Sequence, residues 1–491
     1  MRAFNKYPYE WNSVNAFNYR MIGVGQRSQF QNLANASKSI VERLTQTDSL
    51  DFHVGCVNAV NFNSTGDLIA SGSDDLQVAI WDWLKYTKEP KMTFDSGHTS
   101  NVFQTKFMPN TCNSTIVTCG RDGQVRVGFL TSSDSLQMTK RVAQHKQSAH
   151  KLSIEPGSPN LLKTAGEDAV IYNIDLREPK PTKLLTLYND KRRKVALYGI
   201  NINPNNPLEF AVAGRDPWAR IYDVRKINAD CEGFLKKFSP DQLQEKDSVF
   251  AANVTCLMYN YNGSELLVSY NDDDIYLFDT TQSSACSPIH KYSGHRNSDT
   301  VKGVNFFGPC SEYIVSGSDC AHIFIWDKKT EQVVTFLKGD DVGVVNVLEP
   351  HPDCCVLATS GLDHDIKIWQ PLGKPFVNTE ELKKQIKRNE HDRIEDRNRN
   401  PDPFDNQLIY MMMQHLQRQR RRISRRMARE GGDELSDSTT DSDGGSDDRH
   451  PEFNADGTND SDDDSDDDDD NDNDDDDDDE DGHSEHRCVQ S

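Results

Sequence analysis

Ser71, His53 and Asp75 are the residues whose types could do chemistry together. In such a trio the histidine removes the hydroxyl proton, the aspartate fixes the imidazole tautomer, and the serine attacks an acyl or phosphoryl centre. The pattern returns along the chain. His98 precedes Asp122, His145 precedes Asp168, and His295 stands at a similar offset before Cys320. A single active site does not recur at a fixed interval, so these residues are expected to be structural. No phosphate-binding loop, dinucleotide fingerprint or zinc-protease motif offers another catalytic centre. The expectation is a protein that is not an enzyme and takes no cofactor or metal.

What positions these residues is an internal repeat. The stretch SGSDDLQVAIWD (71–82) returns as TCGRDGQVRVGF (118–129), TAGEDAVIYNID (164–175), VAGRDPWARIYD (212–223), VSYNDDDIYLFD (268–279), VSGSDCAHIFIWD (315–327) and TSGLDHDIKIWQ (359–370). The turn aspartates are Asp75, Asp122, Asp168, Asp216, Asp272 and Asp363, with Cys320 in the sixth copy, and they recur every 43 to 56 residues. A period of that size, with apolar strands such as LIAS and QVAIW on both sides of a tight turn, is the four-stranded blade of a propeller. Seven copies predict an all-β, seven-bladed β-propeller over 40–372.

An aspartate in such a turn can bond the turn's own amides and reach a histidine upstream. In propellers of this repeat type His, Asp, a hydroxyl residue and Trp form a buried hydrogen-bonded set, with Trp81, Trp326 and Trp369 at the last position. Blades four, five and seven have no such histidine and blade six has no such aspartate, so these four are expected to rely more on packing. To close the ring, IVERLTQ (40–46) is expected to supply the outer strand of blade seven. Phe30, Leu33, Ala34, Ile40, Val41 and Leu44 also fall at helical spacing. The reading adopted for the partly helical extension 1–39 is a short helix over 28–38 that turns into this clasp, either docking a partner or capping the disc. The longest insertion, 226–252, is a candidate partner surface or a packed blade connection.

Charge is concentrated at the C-terminus. Residues 433–491 hold 28 acidic side chains against Arg449 and Arg487, a net −26 that exceeds the −24 of the whole chain. The remainder, with 51 acids and 53 bases, is near neutral, so direct nucleic-acid binding is not expected of it. The tail 431–491 cannot bury a core and is expected to be disordered, serving solubility or shielding the nearby arginines. Eleven scattered cysteines with no C-x-x-C pair read as reduced core thiols. No apolar run has the length of a signal peptide or membrane span, which points to nucleus and cytoplasm.

Segment 373–430 reads as charged helix. Asp402 and Pro403 suit a helix start, and Phe404, Leu408, Met411, Met412, His415 and Leu416 make an apolar stripe. It runs into RQRRRISRRMAR, where Arg418, Arg420, Arg421, Arg422, Arg425 and Arg426 are dense enough for a nuclear localisation signal. A solvated helix end is the alternative; with Lys383, Lys384, Lys387 and Arg388 upstream, nuclear import is preferred.

Strings such as ASGSDDLQVAIWDW, RDGQVRVG, FAVAGRD, RIYDVRKI, VKGVNF and ATSGLDHDIKIW carry a family resemblance over roughly 53–370. The sequence resembles the DDB- and cullin-4-associated factors of the factor 8 type, WD-repeat substrate receptors of cullin-RING ubiquitin ligases. The resemblance implies a receptor that docks the ligase's DDB-type propeller adaptor and recruits target proteins. Such families carry W-D-x-R at consecutive blade ends for that docking. Here the matches are IDLR (174–177) and YDVR (222–225), with Ile174 and Tyr222 in place of Trp, leaving Arg177 and Arg225 as the informative residues. A nuclear chromatin- or histone-binding scaffold, suggested by the arginine run and acidic tail, is the alternative. The sequence does not name a substrate.

Overall fold

The computed structural model describes residue 21 and residues 27–85, 88–131, 136–227, 233–243, 252–282, 287–298, 300–341, 343–374 and 379–399. Their strands form seven four-stranded antiparallel sheets. The innermost strand of each sheet lies beside that of the next, and the last returns to the first, so the sheets close a ring. This is the seven-bladed propeller that the period predicts.

Burial explains the strand pattern. The second strands are buried almost throughout, and Leu68–Ser73 and Thr115–Gly120 at every position, because each is covered on both sides by neighbouring blades. Seven apolar clusters occupy the seven wedges between blades; that between blades one and two joins Leu68, Ile80 and Phe94 to Phe107 and Ile116.

The ring closes with an N-terminal clasp on the outer edge of blade seven, as expected, but the strand lies at 45–51 rather than 40–46. The strand Thr45–Asp51 pairs antiparallel with Asp365–Gln370, Thr45 opposite Gln370 and Asp51 opposite Asp365, completing the sheet that also holds Val345–Pro350 and Leu357–Gly361. Residues 40–44 are not strand. They follow helix α1 (Arg27–Asn35) into a short helix α2 (Lys38–Val41). Val41 and Leu44 are buried in the wedge between blades six and seven, so apolarity that suggested a clasp strand serves as a plug. The outer edge of blade seven instead takes the polar TQTDSLD, in which only Leu50 is buried, as suits an outermost strand. The Tyr313 hydroxyl donates to the Ala36 carbonyl (2.9 Å), and Asn35 donates to the Asp353 carbonyl (2.6 Å). The N-terminal helices thus cap the disc.

Part of the long insertion is a packed connection: Phe234–Phe238 is the outer strand of blade four. Helix α3 (Thr379–Arg399) lies over blades five and six. Leu382 enters their apolar wedge, the Arg393 guanidinium grips Asp274 (2.7 and 3.0 Å), Arg296 grips Asp396, and the Asn389 amide donates to the Gly294 carbonyl (2.8 Å). Phe404 through Leu416, the arginine run and the acidic tail lie outside the described residues. No described helix is long and apolar enough to cross a membrane. The cysteines are not all core thiols, since Cys112, Cys310 and Cys354 sit exposed in loops.

Candidate functional site

The Ser71, His53 and Asp75 trio does assemble with catalytic-looking distances. His53 Nδ1 lies 3.0 Å from Asp75 and its Nε2 lies 2.8 Å from the Ser71 hydroxyl. However, His53 and Ser71 are wholly buried, and the Trp81 indole donates to the same hydroxyl at 2.9 Å. No substrate reaches an oxygen so enclosed. The set is a strut tying the approach to blade one to its turn.

Blade two repeats it with His98, Asp122 and Thr118 (3.0 and 2.9 Å), and Gly128 stands where Trp81 would be. Blade three keeps His145 and Asp168 at 3.0 Å, but the Thr164 hydroxyl turns to the Lys151 carbonyl. Burial works to raise the carboxyls of Asp75, Asp122 and Asp168. Hydrogen bonds from the histidines and turn amides outweigh it, and all three are held below the usual carboxylate range. Asp122→Ala removes a partner from buried His98 and from the amides of Thr99 and Gln124. It is expected to cost on the order of 1–3 kcal/mol, read as a lowered melting midpoint; an unchanged midpoint contradicts the strut.

Of the other four blades, four and seven depart from what was expected of them. Blades four and seven do not fall back on packing, because a cation replaces the histidine. Arg220 holds Asp216 with two bonds (3.1 and 2.5 Å). Lys367 reaches Asp340, Asp363 and Asp365 at 3.0, 2.9 and 2.8 Å, while Trp369 donates to the Thr359 hydroxyl (2.8 Å). Both cations stand four residues after the turn aspartate, a signal that could have been found inside the otherwise apolar third strands.

Asp272 is not a strut residue. The turn of blade five has the same length, Ser269 pairing with Ile275 as Gly72 pairs with Val78, but a different conformation. Asp272 itself takes the left-handed conformation (φ 55°), and its amide donates to the Asn297 carbonyl. His295 is not paired either. Both ring nitrogens are buried with no hydrogen-bond partner among the described residues, and burial pushes the imidazole down to about 4. Its edge meets Trp326, whose indole donates to the Ser293 carbonyl. Cys320 lies against Ser318 and Asn389, and the neighbouring Asp319 pairs with Lys302.

The exposed candidates lie on the opposite face. Strands alternate in direction, so the aspartate turns share one face with the connections between blades, while the ends of the third strands emerge on the other. Arg177 and Arg225 follow the third strands of blades three and four, with side chains 67 and 63 % exposed. Each fork is already engaged. Arg177 donates to both oxygens of Asp175 (2.9 and 2.6 Å), and Arg225 to both of Asp223 (3.1 and 2.8 Å). The bonds from Arg177 hold Asp175 below the usual carboxylate range, and those from Arg225 take Asp223 down to about 2. In both arginines Nε and Nη2 face the aspartate; Nη1 has no hydrogen-bond partner among the described residues. The aspartate fixes the side chain and leaves the outward edge of the guanidinium exposed. Beneath them Ile174 and Tyr222 are buried where Trp was expected, Tyr222 stacked on Phe210 (5.8 Å).

Among the described residues no group of three or more His, Cys, Asp or Glu is arranged to hold a metal. Residues 44–82, 88–127, 286–327 and 331–370 match the WD domain, G-beta repeat, and with the seven sheets this makes the chain a WD-repeat β-propeller protein. It is similar to Protein ALTERED SEED GERMINATION 2 of Arabidopsis thaliana, 31% identical over 306 residues, which cover 55% of this chain and 39% of that protein. It is also similar to human DDB1- and CUL4-associated factor 6, 31% identical over 283 residues, 54% of this chain and 32% of that protein, and to human WD and tetratricopeptide repeats protein 1, 29% identical over 284 residues, 51% and 41%. The matches span less than half the length of these relatives.

Proposed function

We propose that this chain is a non-catalytic substrate receptor of a cullin-4 RING ubiquitin ligase, of the factor 8 type, and that Arg177 and Arg225 dock the ligase adaptor. The observation that carries the reading is a matched pair. On neighbouring blades, at the same register and on one face, an aspartate holds an exposed arginine with two bonds. Similarity to a protein named for its association with DDB1 and CUL4 supports the identity of the partner. The adaptor sits over blades three and four, leaving other surfaces for targets, and the ligase performs the chemistry. Purifying the full chain from cells tests this: the adaptor is expected among the retained proteins, and its consistent absence contradicts the proposal.

The receptor works in nucleus and cytoplasm, with nuclear entry driven by the arginine run. Replacing Arg420, Arg421, Arg422, Arg425 and Arg426 with Ala is expected to move a fluorescently tagged chain towards the cytoplasm. Unchanged nuclear signal would leave the run as a solvated segment.

A further inference from the structure

The face opposite Arg177 and Arg225 carries a basic surface that adaptor docking does not use. It begins from a distortion of the innermost strands. In blades two, three and four the register slips after the first residue, leaving Phe103, His150 and Tyr198 unpaired in bulges, a device that re-aims a side chain. The three rings meet across the blades. Phe103 stacks on His150 (4.9 Å between centroids, 6° between planes), and Tyr198 meets His150 edge-on at 5.1 Å. Glu167, from the turn of blade three, lies 2.7 Å from His150 Nε2.

Cations surround this core. Exposed Arg121 and Arg215, from the turns of blades two and four, flank it; Arg121 acts on Glu167 and Arg215 on Tyr198 through their charges. Between blades three and four runs Lys191, Arg192, Arg193 and Lys194, all exposed. This loop is built, not slack. The Asn189 side chain accepts from the amides of Lys191 and Arg193 (3.0 and 2.9 Å), its backbone closes on Arg193 and Arg192, and Tyr188 bridges Lys194. The Arg215 amide donates to Ala196 just beyond the loop, so the loop and the flanking turn are contiguous.

We infer that this surface over blades two to four binds a carboxylate-rich segment of a partner protein. Charge complementarity selects the class of ligand: the turn aspartates here are committed to His98, His145 and Arg220, which leaves the basic side chains dominant. Glu167 and Asp190 within the patch oppose a continuous phosphate backbone but can accept hydrogen bonds from peptide amides. A peptide is therefore favoured over nucleic acid. This second surface does not depend on adaptor docking.

The test is fluorescence anisotropy of the full chain with a short labelled Asp/Glu peptide, at low and high salt. Binding is expected to weaken with salt and to fall about tenfold or more when Lys191→Glu and Arg193→Glu are combined. Lys191→Glu alone is expected to lose part of it, which keeps the test decisive if the double variant melts early. Lys180→Glu with Lys183→Glu, exposed in blade three outside the patch, should bind as wild type. No binding, equal loss in this control, or tighter binding of a short oligonucleotide than of the peptide overturns the inference.

Discussion

Lys367→Met is expected to cost about 3–5 kcal/mol of folding stability, because it leaves clustered carboxylates without their cation. Lys367 is the common partner of Asp340, Asp363 and Asp365 in the sheet that closes the ring. Burial alone would lower its pKa; the three carboxylates outweigh this and hold it above the usual lysine range. Asp340 has the most enclosed side chain of the three, and burial, aided by Asp363 and opposed by Lys367, pushes it up to about 7. Without Lys367 it rises further. A carboxyl whose folded pKa lies above its unfolded value binds more protons when folded, so stability falls as pH climbs from about 4 towards the folded pKa. The variant should therefore lose least in mild acid and most above neutrality. Denaturant titrations at both ends check this, and a small loss that does not change with pH would mean that the cluster is not buried as described.

The fold was legible because blade geometry forces a sequence signature. A tight turn after an almost wholly buried strand recurs with each blade, so the apolar runs ending at Ser71, Thr118 and Ser360 announce themselves. The strut pairs of blades one to three were legible for the same reason, since His and Asp stand at fixed offsets. What escaped were contacts that different residue types can satisfy. Arg220 and Lys367 do the work of a missing histidine from another strand, and nothing in the histidine spacing points to them. The bounds of the clasp escaped because an outermost strand needs no apolar run: Val41 and Leu44 fill a wedge, while polar Thr45–Asp51 pairs with Asp365–Gln370. His295 matched in spacing but has no carboxylate opposite, since Cys320 stands there. The alignment of Phe103, His150 and Tyr198 depends on bulges, which a strand pattern does not display. At Arg177 and Arg225 the sequence marked the residues, but not that their own aspartates occupy the inner edge of each guanidinium.

Arg177→Ala with Arg225→Ala removes two prepositioned donors from one face, and adaptor binding is expected to weaken roughly thirtyfold or more. Lysine at both positions should recover little, because an ammonium cannot hold both oxygens of Asp175 or Asp223 while presenting a planar edge outward. Both side chains are largely exposed, so the melting midpoint should barely move. The direct measurement is the dissociation constant of the full chain for purified ligase adaptor, wild type against the double alanine variant, with melting curves alongside. Measurable wild-type binding and a loss of that size at an unchanged midpoint are expected; a normally melting double variant that keeps wild-type affinity would show that these arginines do not dock the adaptor.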